Sequence, residues 1–226
     1  MVDVDTSVVI RTLASGGFIC EVTFADAFTA LKNAGEINAV REDVEHALGY
    51  LGMTLKASSE HAPEYFYAAP EPRRLSRSGD LPLVRKELNM IIANATGYTG
   101  FIELLDKATG VDTMPSSGFS FDLGEVQSAL ANTSNASLQD LFLTVRNTRY
   151  FKNALSNKLK NDKERLDAMF GKLRDEGLIA DDGTGVNYAF TGKFAHYIHV
   201  IEYIRDASVE PDDVSNLSDS QASLFH

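Results

Sequence analysis

The chain has 226 residues, 44% of them apolar, enough for a hydrophobic core in each of one or two small domains. Its 21 basic and 32 acidic residues leave a formal charge of −11, which argues against indiscriminate coating of nucleic acid. Cys20 is the only cysteine, so no intrachain disulfide can form; no apolar run approaches the ~20 residues a bilayer span needs, and the start, MVDVDTS, is acidic. The expectation is a soluble, cytoplasmic protein with no membrane association.

Taken in order, residues 6–14 read as a short apolar helix stopped by Gly16 and Gly17. Phe18 to Val22 reads as a strand, and Thr23 with Asp26 as a capping box opening a helix that buries Phe28 and Leu31 and stops at Gly35. A longer helix follows, with Ile37, Val40, Val44, Leu48 and Leu51 on one face as far as Gly52. Met53 to Ala57 and Tyr65 to Ala69 are β-prone and flank a polar loop with Pro63, which predicts a hairpin. Alternating aromatics such as Tyr65, Phe66 and Tyr67, and later Tyr188 and Phe190, are read as core before partner groove.

Pro70 to Asp80 is a polar linker carrying Arg73, Arg74 and Arg77. Pro82 suits the first turn of a helix with Val84, Leu88, Ile91, Ile92 and Ala95, interrupted at Gly97 and resumed to Gly110. Ser116 to Leu130 then repeats, with a two-residue gap, the Gly-Phe opening, short strand and Ala-Leu helix end of Ser15 to Leu31. Leu138 to Leu155 offers Leu141, Phe142, Val145, Phe151 and Leu155 to a core. Next, Leu166, Met169, Phe170 and Leu173 fall on one helical face, with Asn161 and Glu164 as its capping box and Gly177 as its stop. A hairpin around Asp181-Asp182-Gly183-Thr184-Gly185 follows, then a helix with Phe194, Tyr197, Ile198, Ile201 and Ile204 on one side.

Helix, strand, helix, helix, hairpin thus occurs twice. The fold class expected is α+β, mostly helical: tandem winged-helix domains joined by a helical linker, with a disordered acidic C-terminal tail. The domains are placed at 1–70 and 112–206, the linker and bridging helices at 71–111 and the tail at 207–226.

Charge is uneven. Between Thr144 and Arg174 nine basic residues face three acidic ones, Asp162, Glu164 and Asp167, an excess of about six positive charges beside the helix that precedes the second hairpin. Arg146, Arg149, Lys152, Lys158, Lys160 and Lys163 are the candidate DNA-binding residues, because phosphate contacts need cations without needing a sequence.

Four stretches in order carry a family resemblance: TLASGGFICEV; YLGMTLKAS with PEYFYA; LPLVRKELNMII; and RLDAMFGKLRDEGLI with YAFTGKFAHYIHVIEYI. Together they resemble the MukE and MksE kite subunits of bacterial condensin-like SMC complexes. That resemblance implies a non-enzymatic homodimer that binds a kleisin (MukF or MksF type), which connects to an SMC ATPase (MukB or MksB type). It further implies contact with double-stranded DNA without sequence specificity, a nucleoid-associated location, and a role in chromosome organisation or segregation or in plasmid defence.

The alternative from another class is a winged-helix transcription regulator that reads an operator in the major groove. Enzyme readings find no support. His196 and His199 lack further metal ligands, Gly183-Thr184-Gly185 lacks the context of a phosphate-binding loop, and no nucleophile elbow or zinc-protease motif occurs. No catalytic residue, cofactor or metal is expected.

Overall fold

The computed structural model describes residues 4–33, 39–75, 81–132, 135–155, 159 and 161–207. The protein is α+β and mostly helical, with two three-stranded antiparallel sheets among the described residues. It divides into two compact units, Met1–Asn89 with His199–His226, and Met90–Ile198.

In the first unit, α1 (Thr6–Ala14) starts where the Asp5 carboxylate accepts the backbone N–H groups of Ser7 and Val8. Strand β1 (Ile19–Cys20) is followed by α2 (Glu21–Lys32), α3 (Ala39–Tyr50), β2 (Met53–Ala57) and β3 (Tyr65–Pro70). β3 is central, paired antiparallel with both neighbours, Cys20 opposite Tyr65 and Leu55 opposite Ala68. Leu13, Leu31, Val44, Leu48 and Phe66 close the core beneath the sheet.

Three local expectations are corrected here. The first strand is only two residues long, because Glu21 already begins α2. The Thr23 hydroxyl lies 3.2 Å from the Cys20 thiol sulfur, and α2 is instead kinked at Phe24, whose φ of −145° and ψ of 62° are non-helical. Leu51 is 47% exposed, because α3 ends at Tyr50 and a turn leads into β2. Ile37 and Gly35 lie outside the described residues, as does the stretch 208–226 for which disorder is expected.

A short helix α4 (Pro72–Leu75) precedes α5 (Leu81–Thr109). The second unit takes α5 from Met90 and continues with β4 (Ser120–Asp122), α6 (Leu123–Ala131), α7 (Ala136–Arg146), α8 (Arg149–Lys152) and α9 (Asp162–Asp175). The hairpin β5 (Ile179–Asp181) and β6 (Asn187–Phe190) and the helix α10 (Gly192–Ala207) follow, α10 leaving this unit after Ile198. Its sheet has the order β4-β6-β5, the counterpart of β1-β3-β2. Both units therefore hold a helix, a short strand, helices and a hairpin whose second strand is central; the second unit adds α7 and α8 between α6 and α9.

The second core is aromatic. Phe101 of α5 stands edge-on to Phe170 of α9 at 5.3 Å, and Phe190 of β6 stacks on Phe194 of α10 at 4.3 Å. Each ring removed from water contributes roughly 1.5–3 kcal/mol. Thr191, 2% exposed, donates its hydroxyl to the carbonyl oxygens of Gly177 and Leu178, tying the end of α9 to the start of α10. Gly177, with φ of +70°, makes the αL stop after α9. No helix among the described residues is long and apolar enough to cross a membrane.

The interruption expected at Gly97 is absent: α5 runs through it as one helix. Gly97 is buried, and a Cβ there would lie 2.6 Å from Cβ of Tyr150, so the glycine serves close packing. Gly97→Ala should therefore destabilise by about 1–3 kcal/mol despite alanine's better helix propensity. Gly171→Ala, in α9 with no heavy atom within 4 Å of the new Cβ, should stabilise by about 0.5–1 kcal/mol. Urea unfolding of both variants reads the two signs.

Candidate nucleic-acid interface

The second unit's cations are placed by α7, α8 and α9. α9 begins where the Asn161 side chain accepts the Glu164 backbone N–H at 2.8 Å and donates to the Glu164 carboxylate at 3.1 Å, so the expected capping box forms. Leu166, Met169, Phe170 and Leu173 are buried, which turns the charged positions of α9 outward on two sides. Lys163, Asp167 and Arg174 border a groove of about 460 Å³ with Gln127 of α6 and Val186 and Tyr188 of the hairpin. Ala168, Lys172 and Asp175 look toward α8 instead.

α9 itself is electrically balanced: Lys163, Arg165, Lys172 and Arg174 stand against Asp162, Glu164, Asp167 and Asp175. Most of its cations are also engaged. Asp162 takes both Arg146, at 3.1 Å, and Arg165, at 2.8 Å. Lys172 pairs with Glu176, and Arg174 with Asp175 at 3.4 Å and Asp181 at 3.8 Å. Exposed pairs of this kind contribute ~0–1 kcal/mol to stability, yet they cancel the field an approaching anion would meet.

The six candidate residues therefore have different surroundings. Arg146 is half-buried, bound to Asp162, with its guanidinium carbon 5.8 Å from the Phe142 ring centre. Arg149, Lys152 and Lys163 are exposed and form no ion pair among the described residues. Lys158 and Lys160 lie outside the described residues. Arg149 and Lys152 are three apart on α8, while Lys163 heads α9 on the groove side.

Beside α8 lies a second depression of about 470 Å³, bordered by Asn94, Arg149, Asn153, Lys172, Lys193 and Glu176 among others. Sequence reasoning missed Lys193, Asn94 and Asn153; a single lysine opening α10 and two amides on separate elements carry no pattern of their own. Lys193 donates to the Glu176 carbonyl oxygen at 2.9 Å, where the end of α9 concentrates negative partial charge. Tyr150, 4% exposed, forms the floor and donates its hydroxyl to the Glu176 carboxylate at 2.8 Å. Burial, then the bond to that carboxylate, pushes the phenol far above its ordinary pKa. Burial also raises neighbouring Tyr98, to about 12.

Cys20 is buried, Tyr65, Phe66, Tyr188 and Phe190 lie in cores, and His199 Nδ1 lies 3.2 Å from the Tyr65 hydroxyl. Among the described residues no group of three or more His, Cys, Asp or Glu side chains could hold a metal ion. No family model matches the chain, and no curated protein matches it.

The Tyr150–Glu176 bond yields a directional test. Glu176→Ala leaves a buried phenol without its acceptor and should cost about 1–3 kcal/mol, whereas Tyr150→Phe, which removes the donor itself, should cost less. Denaturant midpoints at constant m-value measure both.

Proposed function

We propose that the chain is a non-enzymatic kite subunit of the MukE and MksE type. In this reading both units are winged helices, and the protein dimerises and binds a kleisin that joins it to an SMC ATPase. Its place is the cytoplasm, on the nucleoid, in chromosome organisation or in defence against plasmids. The observation that carries the proposal is the repeated sheet: β1-β3-β2 and β4-β6-β5, each a short strand followed by helices and a hairpin that supplies the central strand. Two such units in one chain, with the four family-like stretches in order, fit a partner-gripping subunit.

The charge arrangement supports tolerance of sequence. A protein that reads bases needs side chains free to reach base edges in the major groove. On the groove side of α9, Asp167 is held by Gln127 at 2.8 Å and Arg174 is shared by two carboxylates, leaving Lys163 as the unpaired cation there among the described residues. Exposed cations on α8 and at the head of α9 suit contact with phosphates, which position a duplex without reading it.

Co-expression with a kleisin of the MukF or MksF type should give a stable complex on size exclusion. The full chain alone should bind duplexes of unrelated sequence with similar affinity. Failure to bind that kleisin, together with a preference of ~10³-fold or more for one duplex, would replace the proposal with an operator-reading regulator. In the assembled complex, the triple variant Lys158→Glu, Lys160→Glu, Lys163→Glu should bind DNA more weakly, with melting temperature nearly unchanged.

A further inference from the structure

Two depressions of the second unit, of about 470 and 500 Å³, share Asn153, Lys172, Asp175 and Glu176 and so form one furrow between α8 and α9. We infer that this furrow, and not the groove between α6, α9 and the hairpin, receives the phosphodiester backbone. Arg149, which lines the furrow with Lys193 and the Asn153 amide, is the principal contact within it, and Lys152, exposed on the same short helix but outside that lining, adds a second contact at its edge. The inference rests on the nucleic-acid part of the proposed function and assigns that contact to a surface.

Three observations favour the furrow. First, Arg149 and Lys152 stand exposed on one short helix with no ion pair among the described residues, so an arriving phosphate displaces no internal partner. Arg174 in the opposite groove must give up Asp175 and Asp181, with Asp167 close by. Second, the furrow offers further donors. Lys193 uses one N–H on the Glu176 carbonyl and retains two, and the amides of Asn94 and Asn153 line the same depression. Third, the furrow offers little aromatic surface. Its aromatic residues, Tyr150 and Tyr197, are 4% and 3% exposed, so a peptide would find no exposed ring to anchor on, whereas a backbone of phosphates needs none. Asp175 and Glu176 lower the field, and Glu176 is already occupied by Tyr150 and Lys172; the balance predicts modest, strongly salt-dependent binding.

The test uses the full chain and a fluorescently labelled 30-base-pair duplex, titrated over a range of salt concentrations. Arg149→Glu with Lys152→Glu should weaken binding by about tenfold or more and lower the log–log salt slope by about 2, one unit for each lost contact. Arg174→Glu, a reversal on the other side of α9, should change affinity by less than about twofold and leave the slope alone. Arg149→Lys with Lys152→Arg, which preserves both charges, should bind like the parent and so separates contact from misfolding. If Arg174→Glu weakens binding while the α8 pair does not, the duplex lies in the hairpin groove; the furrow is then overturned and nucleic-acid contact stands. Equal losses per charge reversed at both places would mean bulk charge alone and also overturn it. No binding by the parent chain or by its complex with the kleisin would remove the nucleic-acid reading itself, and the furrow with it.

Discussion

The second unit depends on a knot of phenyl rings. Phe101 of α5 touches Phe121 of β4, Phe151 of α8, Phe170 of α9 and Phe190 of β6, all with ring centres between 5.3 and 6.5 Å apart. One side chain thus fixes four elements against a fifth. The consequence for function is positional: α8 is four residues long and could not hold a helical turn alone, because a single turn orders more backbone than its hydrogen bonds repay. Burial of Tyr150 and Phe151 pins it, and Arg149 and Lys152 are held outward as a result.

α9 works as a divider. Its buried stripe of Leu166, Met169, Phe170 and Leu173 leaves two exposed flanks with different electrostatic character. One flank looks to the hairpin, where Arg174 is matched by carboxylates within a few ångströms and Lys163 alone is unpaired among the described residues; the other looks to α8, with Arg149 on the border of its depression. A count of charges from Thr144 to Arg174 merges these flanks into one basic block, since Asp175, Glu176 and Asp181, which neutralise Lys172 and Arg174, lie beyond its end.

Much of the architecture was legible in the residues, for physical reasons that can be named. The four apolar positions of α9, the Asn161–Glu164 cap and the positive-φ Gly177 are local signals, and the helix ends where they put it. The hairpins were equally local, with turn residues between β-prone runs. What could not be read depended on partners distant in sequence. Gly97 looked like a break because glycine is a poor helix former, yet its role is set by Tyr150 more than fifty residues later. Thr23 and Asp26 had the spacing of a capping box, but the Thr23 hydroxyl faces the Cys20 thiol. At the candidate interface, Lys152 and Lys163 could be picked as exposed cations, while Arg146 could not be recognised as half-buried and bound to Asp162.

Cys20 ends the first strand, fully covered, at the edge of a sheet whose central strand, opposite it, is the second strand of the hairpin. Because it is the chain's only thiol, a thiol-selective reagent acting on the native protein must wait for the first unit to open there. Alkylation rate is therefore a clock for the opening of one half of the molecule, silent about the other, and it comes without introducing a label.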